Sequence, residues 1–347
     1  MLYVTTRNTK DVFTVNHAIL KDRCADGGLY VPYQLPVMTL EEVIGLKEKS
    51  FSQCVAELLN LFLGVKLTGY DVELSIGRYP VKMVSMSHKI TISELWHNPE
   101  SDFAALENAV AKQITGDISN GLLPSDWVRT AVRIAVLFGV FSELLRSDSF
   151  DFANKLDISV SVGDFQMPVA AWYARQMGLP IGTIICGCNQ NGMIWDLIHH
   201  GQIKTDMVAV CTRTPKCDYS IAPGLERLIF STLGEEETKR FISICQRGGL
   251  YALKEDKANA FSAGLYSAVV SDQRMMNVIN SVYRTNQYLL DPYSALAFSA
   301  LQDYRAAAGE TRPALIISEA SAACSADTVA ESLGISKQDL LDRIYIK

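Results

Sequence analysis

In Ile158-Ser-Val-Ser-Val162 apolar residues alternate with serine, the two-residue period of a strand. A turn follows at Gly163-Asp-Phe-Gln166, and Pro168 stands where a first helical position accepts proline. The spacing over 169–177 predicts a helix closed by Gly178, and 181–185 supplies the next strand. Strand, helix and strand make a βαβ unit, which requires a parallel sheet with covering helices. Later helices are predicted to start at Asn191, Glu235, Ser271 and Asp291, the last with Asp as cap and Pro292 at its first position. Residues 313–318 read as a further buried strand. The N-terminal part is patterned differently. After an extended start and a turn at Asp26-Gly27-Gly28 comes the short apolar segment Leu29-Tyr-Val-Pro32. Thr39 and Glu42 then have capping-box spacing, and Val55, Leu58, Leu59 and Phe62 repeat with helical period ahead of Gly64. The expected class is α/β, with a mainly helical domain over 1–85 and an α/β domain over 86–347.

Composition narrows the function. A chain of 347 residues that is 48% hydrophobic and 20% charged builds a core and is not disordered. A net charge of −6 gives no general field for nucleic acid or anionic membranes. The start, Met1-Leu-Tyr-Val-Thr-Thr-Arg7, lacks the pattern of a secretory signal, and the longest apolar stretch, 134–141, is too short to cross a bilayer. Eight cysteines are then expected as reduced thiols in a cytoplasmic protein. Cys186, Cys188, Cys211 and Cys217 have only His199 and His200 nearby in sequence, so buried thiols are expected rather than a metal site. The two histidines, ahead of Gly201, are expected to cap helix carbonyls.

Several segments, in order along most of the chain, resemble threonine synthase, a pyridoxal-phosphate enzyme of fold type II that converts O-phosphohomoserine to threonine. Cys24-Ala-Asp-Gly-Gly-Leu-Tyr-Val-Pro32 resembles the family's D-G-G-L-Y-V-P signature. Val162-Gly-Asp-Phe165 through Met177-Gly-Leu-Pro180 resembles its G-N-F-G loop and the helix ending in M-G-L-P. Asn189-Gln-Asn191 resembles an N-x-N, Gly224-Leu-Glu-Arg-Leu-Ile-Phe230 resembles N-L-E-R-L-L-F, and Leu290-Asp-Pro-Tyr-Ser-Ala-Leu-Ala297 resembles L-D-P-H-T-A-V-A. The resemblance implies the large domain of a fold type II enzyme, as in the tryptophan synthase β-like enzymes.

The family's chemistry requires a lysine for the Schiff base, donors around the cofactor phosphate and a partner for the pyridine nitrogen. Its lysine segment, E-L-F-H-G-P-T-x-A-F-K-D-F, is matched by Glu94-Leu-Trp-His-Asn-Pro-Glu-Ser-Asp-Phe-Ala-Ala105, in which Ala104 or Ser101 takes the lysine position. No lysine lies between Lys89 and Lys112. In the phosphate loop Gly163 and Phe165 are kept, but Asp164 replaces Asn and Gln166 replaces the second Gly. A carboxylate there repels a phosphate, and Asp164 reads as a cap on the following helix. Glu319 stands at the position of the family's threonine beside the pyridine nitrogen. The family's S-G-D-T-G loop and the small domain that encloses the cofactor are expected to be absent. Thr115-Gly116-Asp117 is a faint echo, and the deletion falls around 112–125.

The expectation is therefore a threonine synthase-like pseudoenzyme without bound cofactor, acting by protein or small-metabolite binding. The alternatives are an enzyme repurposed on the residual cleft and a lyase completed by a partner subunit. Glu94, His97 and Glu319 are the candidate catalytic groups, and Gly163, Asp164, Phe165 and Gln166 form the altered cofactor loop. Arg129 and Arg133, four apart on a predicted helix beginning near Ser125, share a face suited to an anion, or else form ion pairs with Asp126 or Glu143. A homodimer or a protein partner is expected over the former domain interface, encouraged by the apolar run 127–145.

Overall fold

The computed structural model describes residues 1–76, 81–96, 125–147, 155–309 and 311–345. His97, Ser101, Ala104 and the 112–124 segment lie outside them. Strands are numbered in chain order.

The extended start is a three-stranded antiparallel sheet in the order β2-β1-β3, formed by β1 (Leu2–Thr5), β2 (Asn8–Thr14) and β3 (Tyr30–Pro32). The main helix of this part, Phe51–Leu63, buries Val55, Leu58, Leu59 and Phe62, and Gly64 ends it in a left-handed conformation at φ 64°. The capping box at Thr39 forms as its spacing predicts: Glu42 N donates to Thr39 Oγ1 (3.3 Å), and Thr39 N donates to the Glu42 carboxylate (2.7 Å).

The second part is a six-stranded sheet in the order β10-β7-β6-β11-β5-β4, built from β4 (Lys82–Met86), β5 (Ile90–Glu94), β6 (Leu156–Ser161), β7 (Ile181–Cys188), β10 (Leu265–Val269) and β11 (Ala314–Ser318). All neighbours are parallel except β4, which pairs antiparallel with β5. The predicted βαβ unit is β6, the helix Gln166–Gln176 and β7. β4 begins at Lys82 and pairs in this sheet, so the sheet takes in residues ahead of position 86. The connecting helix also starts earlier than Pro168 suggested. Phe165 takes a left-handed conformation at φ 64°, and Gln166 is the first helical residue.

β6 is buried on both faces, so its serines need internal partners. Ser159 finds one in the Ala297 carbonyl, 2.7 Å away on the helix Pro292–Ala308. That helix starts as predicted, with Asp291 accepting from the amides of Tyr293 (2.9 Å) and Ser294 (3.2 Å). It runs so close to β7 that a Cβ on Gly187 would lie 2.5 Å from the Leu296 backbone, which only glycine permits. The helix Asp126–Arg146 is buried along almost its whole length. It packs between Phe51–Leu63 on one side and Gln166–Gln176 on the other. The apolar run 127–145 is thus covered within the chain and lends no support to an association. No helix among the described residues is long and apolar enough to cross a membrane.

Candidate functional site

The C-terminal ends of the parallel strands carry the residues singled out from the sequence. The loop after β6 turns through Gly163, Asp164 and Phe165 into the helix at Gln166. Asp164 Oδ1 accepts from the Gln166 amide at 3.1 Å, so a carboxylate already holds one of the free donors of this helix start. The Gln166 side chain turns away from the loop. Its Nε2 donates to Asp126 Oδ1 at 3.0 Å, and its buried Oε1 has no partner.

Arg133 reaches the same place from the long helix. Its Nη2 lies 3.5 Å from Asp164 Oδ2, and its Nη1 donates to Glu319 Oε1 at 2.9 Å. One guanidinium thus joins the two substituted positions, the loop carboxylate and the glutamate after β11. The arginine is nearly buried, whereas Asp164 is 40% and Glu319 26% exposed. Arg129 does not share this role. It turns to Asp126 on its own helix, 4.0 Å away, so the expected two-arginine clamp is not formed. Glu143 instead pairs with Arg146 (2.9 Å).

Glu94 ends β5 beside Ser318 of β11, its register partner. It is buried, accepts from the Tyr288 hydroxyl at 2.8 Å and meets Lys82 Nζ at 3.3 Å. Burial, with the Glu94 carboxylate adding to it, pushes the Tyr288 phenol far above its ordinary range. Ser318 links this group onward, accepting from Trp96 Nε1 (3.3 Å) and donating to Asp291 (3.3 Å). Burial raises the Asp291 carboxyl above its ordinary value despite these donors. Glu94 and Glu319 therefore belong to two neighbouring networks, one around a tyrosine and one around an arginine.

Cys217 packs under the altered loop. Burial pushes its thiol up to about 12, with Asp218, Glu319 and Asp164 reinforcing the shift against a backbone hydrogen bond from Gly163. Cys186 is likewise raised to about 12 by burial. Thiols held so firmly protonated are poor nucleophiles and poor ligands. All eight cysteines are free, and no group of metal ligands occurs among the described residues. Cys211 is exposed, unlike the buried thiol expected. The histidines depart from expectation too. His199 Nε2 bonds the Ser267 carbonyl of β10 at 2.8 Å rather than a helix end, and His200 packs edge-on against Trp195.

Two motifs prove to be architectural. Glu226 accepts from Thr6 Oγ1 (2.7 Å), Arg7 Nε (2.9 Å) and Arg23 Nη1 (2.9 Å), and so grips the N-terminal sheet. Arg227, fully buried, donates to Thr130 Oγ1 (3.0 Å) and the Tyr30 carbonyl (3.3 Å). It also makes an ion pair with Asp126 without aligned hydrogen-bond geometry. In the N-x-N segment, Asn189 and Asn191 donate to Asp218 Oδ1 at 2.7 and 3.0 Å, while Thr212 N donates to Oδ2 at 2.8 Å. These bonds fasten the loop before residue 218 onto the end of β7. Both motifs stood out in the sequence, but only the long-range contacts reveal what they hold.

Residues 2–78 match the family model described as "Threonine synthase N terminus". Human Threonine synthase-like 1 is 24% identical over 214 residues, covering 57% of this chain but only 29% of that protein. The chain thus spans under a third of the length of that relative. The threonine synthase of Pseudomonas aeruginosa is 20% identical over 399 aligned positions, covering 88% of this chain and 85% of that protein. The crystal structure of pyridoxal-phosphate-bound threonine synthase from Brucella melitensis superposes with a TM-score of 0.84 at 20% identity, over 96% of this chain and 92% of that one. The chain is therefore similar to threonine synthases, through its N-terminal segment and through relatives matched along most of its length, and it shares the fold of the Brucella melitensis enzyme.

Proposed function

We propose that this chain does not run pyridoxal-phosphate chemistry and acts as a non-catalytic, ligand- or partner-binding relative of threonine synthase. The observation that carries the reading is the Arg133 bridge between Asp164 (3.5 Å) and Glu319 (2.9 Å). A phosphate cradle needs unengaged donors at the helix start, and here the Gln166 amide already serves the Asp164 carboxylate. Each negative charge brought against that carboxylate costs about 1 kcal/mol at contact in water and about 4 kcal/mol where partly desolvated. Glu319, bound to a guanidinium, is a poor partner for a protonated pyridine nitrogen, because the neighbouring cation opposes that charge. The residues present therefore do not suit the cofactor, and no step is routed through it. The sequence adds that residues 90–111 contain no amine able to form the imine. On this reading the protein works by association, either with a second copy or another protein over the former domain interface, or with a small anionic metabolite.

The test is a titration of the purified chain with pyridoxal phosphate, followed by borohydride reduction and peptide mapping. The expected result is no stoichiometric imine absorbance and only scattered labelling of surface lysines. Two lysines stand beside the described part of the cleft: Lys82 against Glu94, and Lys216 over the Tyr293 ring at 5.8 Å. Stoichiometric, site-specific labelling of either one, with threonine formed from O-phosphohomoserine, would overturn the proposal. Light scattering across a concentration series distinguishes a second copy from the other partners.

A further inference from the structure

A cavity of about 430 Å³ lies beside the N-x-N segment, between the helix Met193–His200, strand β8 (Gln202–Lys204) and the chain over 207–210. We propose that it binds a free α-amino acid with an aliphatic side chain. The inference uses none of the residues on which the cofactor argument rests, so the two readings fail separately.

Local folding brings two opposite charges to this cavity. The helix carries Asp196 near its start and ends at Gly201, whose φ of 64° lets the chain reverse directly into β8. β8 pairs antiparallel with β9 (Leu250–Ala252), placing Lys204 opposite Leu250. Asp196 and Lys204 therefore both line the cavity. Among the described residues neither forms an ion pair within 4.0 Å, with the other or with any third residue. A separated carboxylate and ammonium on one cavity match the α-ammonium and α-carboxylate of a zwitterion.

Beside the polar Gln190, Asn191, Gln202, Tyr219 and Ser220, the lining carries a wall of exposed aliphatic side chains. Val208 is 85% accessible, and Met207, Val210 and Leu250 are each more than half exposed. Such residues gathered around one cavity, rather than scattered singly, mark a binding surface. The wall that carries them is fixed in place. Val210 N donates to Asn191 Oδ1 at 2.7 Å, and Asn191 Nδ2 donates back to the Val210 carbonyl at 2.9 Å. Asn191 is itself held by Asp218 at 3.0 Å. A purely ionic ligand would leave this wall unused, and a purely apolar one would leave two charges unmatched. An aliphatic amino acid answers both. The volume lies toward the small end of ligand pockets, as a molecule of that size requires.

Calorimetry with the full chain and L-leucine tests the assignment. The comparison ligands are 4-methylpentanoate, which lacks the ammonium, 3-methylbutylamine, which lacks the carboxylate, and glycine, which lacks the side chain. Leucine is expected to bind saturably at one site, and each of the three at least roughly tenfold more weakly. Asp196→Asn should erase the preference for leucine over 4-methylpentanoate, and Lys204→Met the preference over 3-methylbutylamine. Both positions are exposed, so the variants should melt like the parent chain. Absence of saturable heat up to about 10 mM leucine, a range that would reveal even millimolar binding, overturns the proposal. So does leucine binding that survives both substitutions unchanged.

Discussion

Arg227 and Arg133 both hold carboxylates against the helix Asp126–Arg146, but their settings are opposite. Arg227 is wholly buried and ties Asp126, Thr130 and the Tyr30 carbonyl together, while its neighbour Glu226 grips Thr6, Arg7 and Arg23. Arg133 bridges two carboxylates that remain partly in water. The first cluster is made by a segment that resembles the family's motif. The second is made by departures from it, Asp164 and Glu319. Deep ion pairs that join separate elements are costly to break, because the surviving partner stays buried and charged. A solvated pair can be exchanged at little cost to the fold. The buried cluster thus maintains the architecture, and the cleft cluster can be altered at little cost to the fold.

The largest effect that tests this contrast is expected from Arg227→Met. It removes the charge at similar bulk and leaves Asp126 with only the Gln166 side-chain amide and the more distant Arg129, so urea unfolding should show a loss of about 3–5 kcal/mol. A loss under about 1 kcal/mol would mean that the cluster does not bear on stability, and the contrast would fail. Glu226 gives the next effect, read through pH. Burial alone would raise its carboxyl, but hydrogen bonds from Arg7, Thr6 and Arg23 overcome this and hold it below 4.5. A depressed folded-state value means that its contribution is complete above the unfolded value and is lost as pH falls through the folded one. Glu226→Gln should therefore cost about 1.5–3 kcal/mol near neutrality. The gap between the two melting temperatures should then close below about pH 4.5. A gap that stays constant with acidification would remove Glu226 from the clamp.

How far the chain could be read beforehand follows from the range of the forces. The helix around Val55 and Phe62, the cap at Asp291 and the βαβ unit after β6 were legible because period and capping are local properties. The start at Gln166 instead of Pro168 was hidden because it depends on Phe165 accepting a left-handed backbone. β4 looked like part of the N-terminal domain because its antiparallel pairing with β5 leaves no mark in composition. At the candidate site the residue types were visible but their partners were not. The sequence offered Asp126 and Glu143 to Arg129 and Arg133 together; Arg129 does meet Asp126, whereas Arg133 reaches Asp164 and Glu319, on a loop and after a strand. Asp196 and Lys204 drew no notice at all, since their meeting needs the reversal at Gly201 and the β8–β9 pair.

The smallest expected effect sharpens the contrast from the other side. Arg133→Met should cost about 1 kcal/mol in urea unfolding, several-fold less than Arg227→Met, because water solvates the carboxylates it leaves behind. Asp164→Asn should cost about 0.5 kcal/mol or less, since an asparagine oxygen still accepts from the Gln166 amide and the lost charge lay 40% exposed. The double variant carries the sharper information. Two residues joined by a real ion pair give a cycle in which the second substitution costs less once the first is present. Here that coupling should be favourable but no more than about 1 kcal/mol, and it should shrink as salt is raised. A coupling several times larger, insensitive to salt, would mean that the cleft pair is as dry as the Arg227 cluster. The idea that the cleft can be altered at little cost to the fold would then be lost.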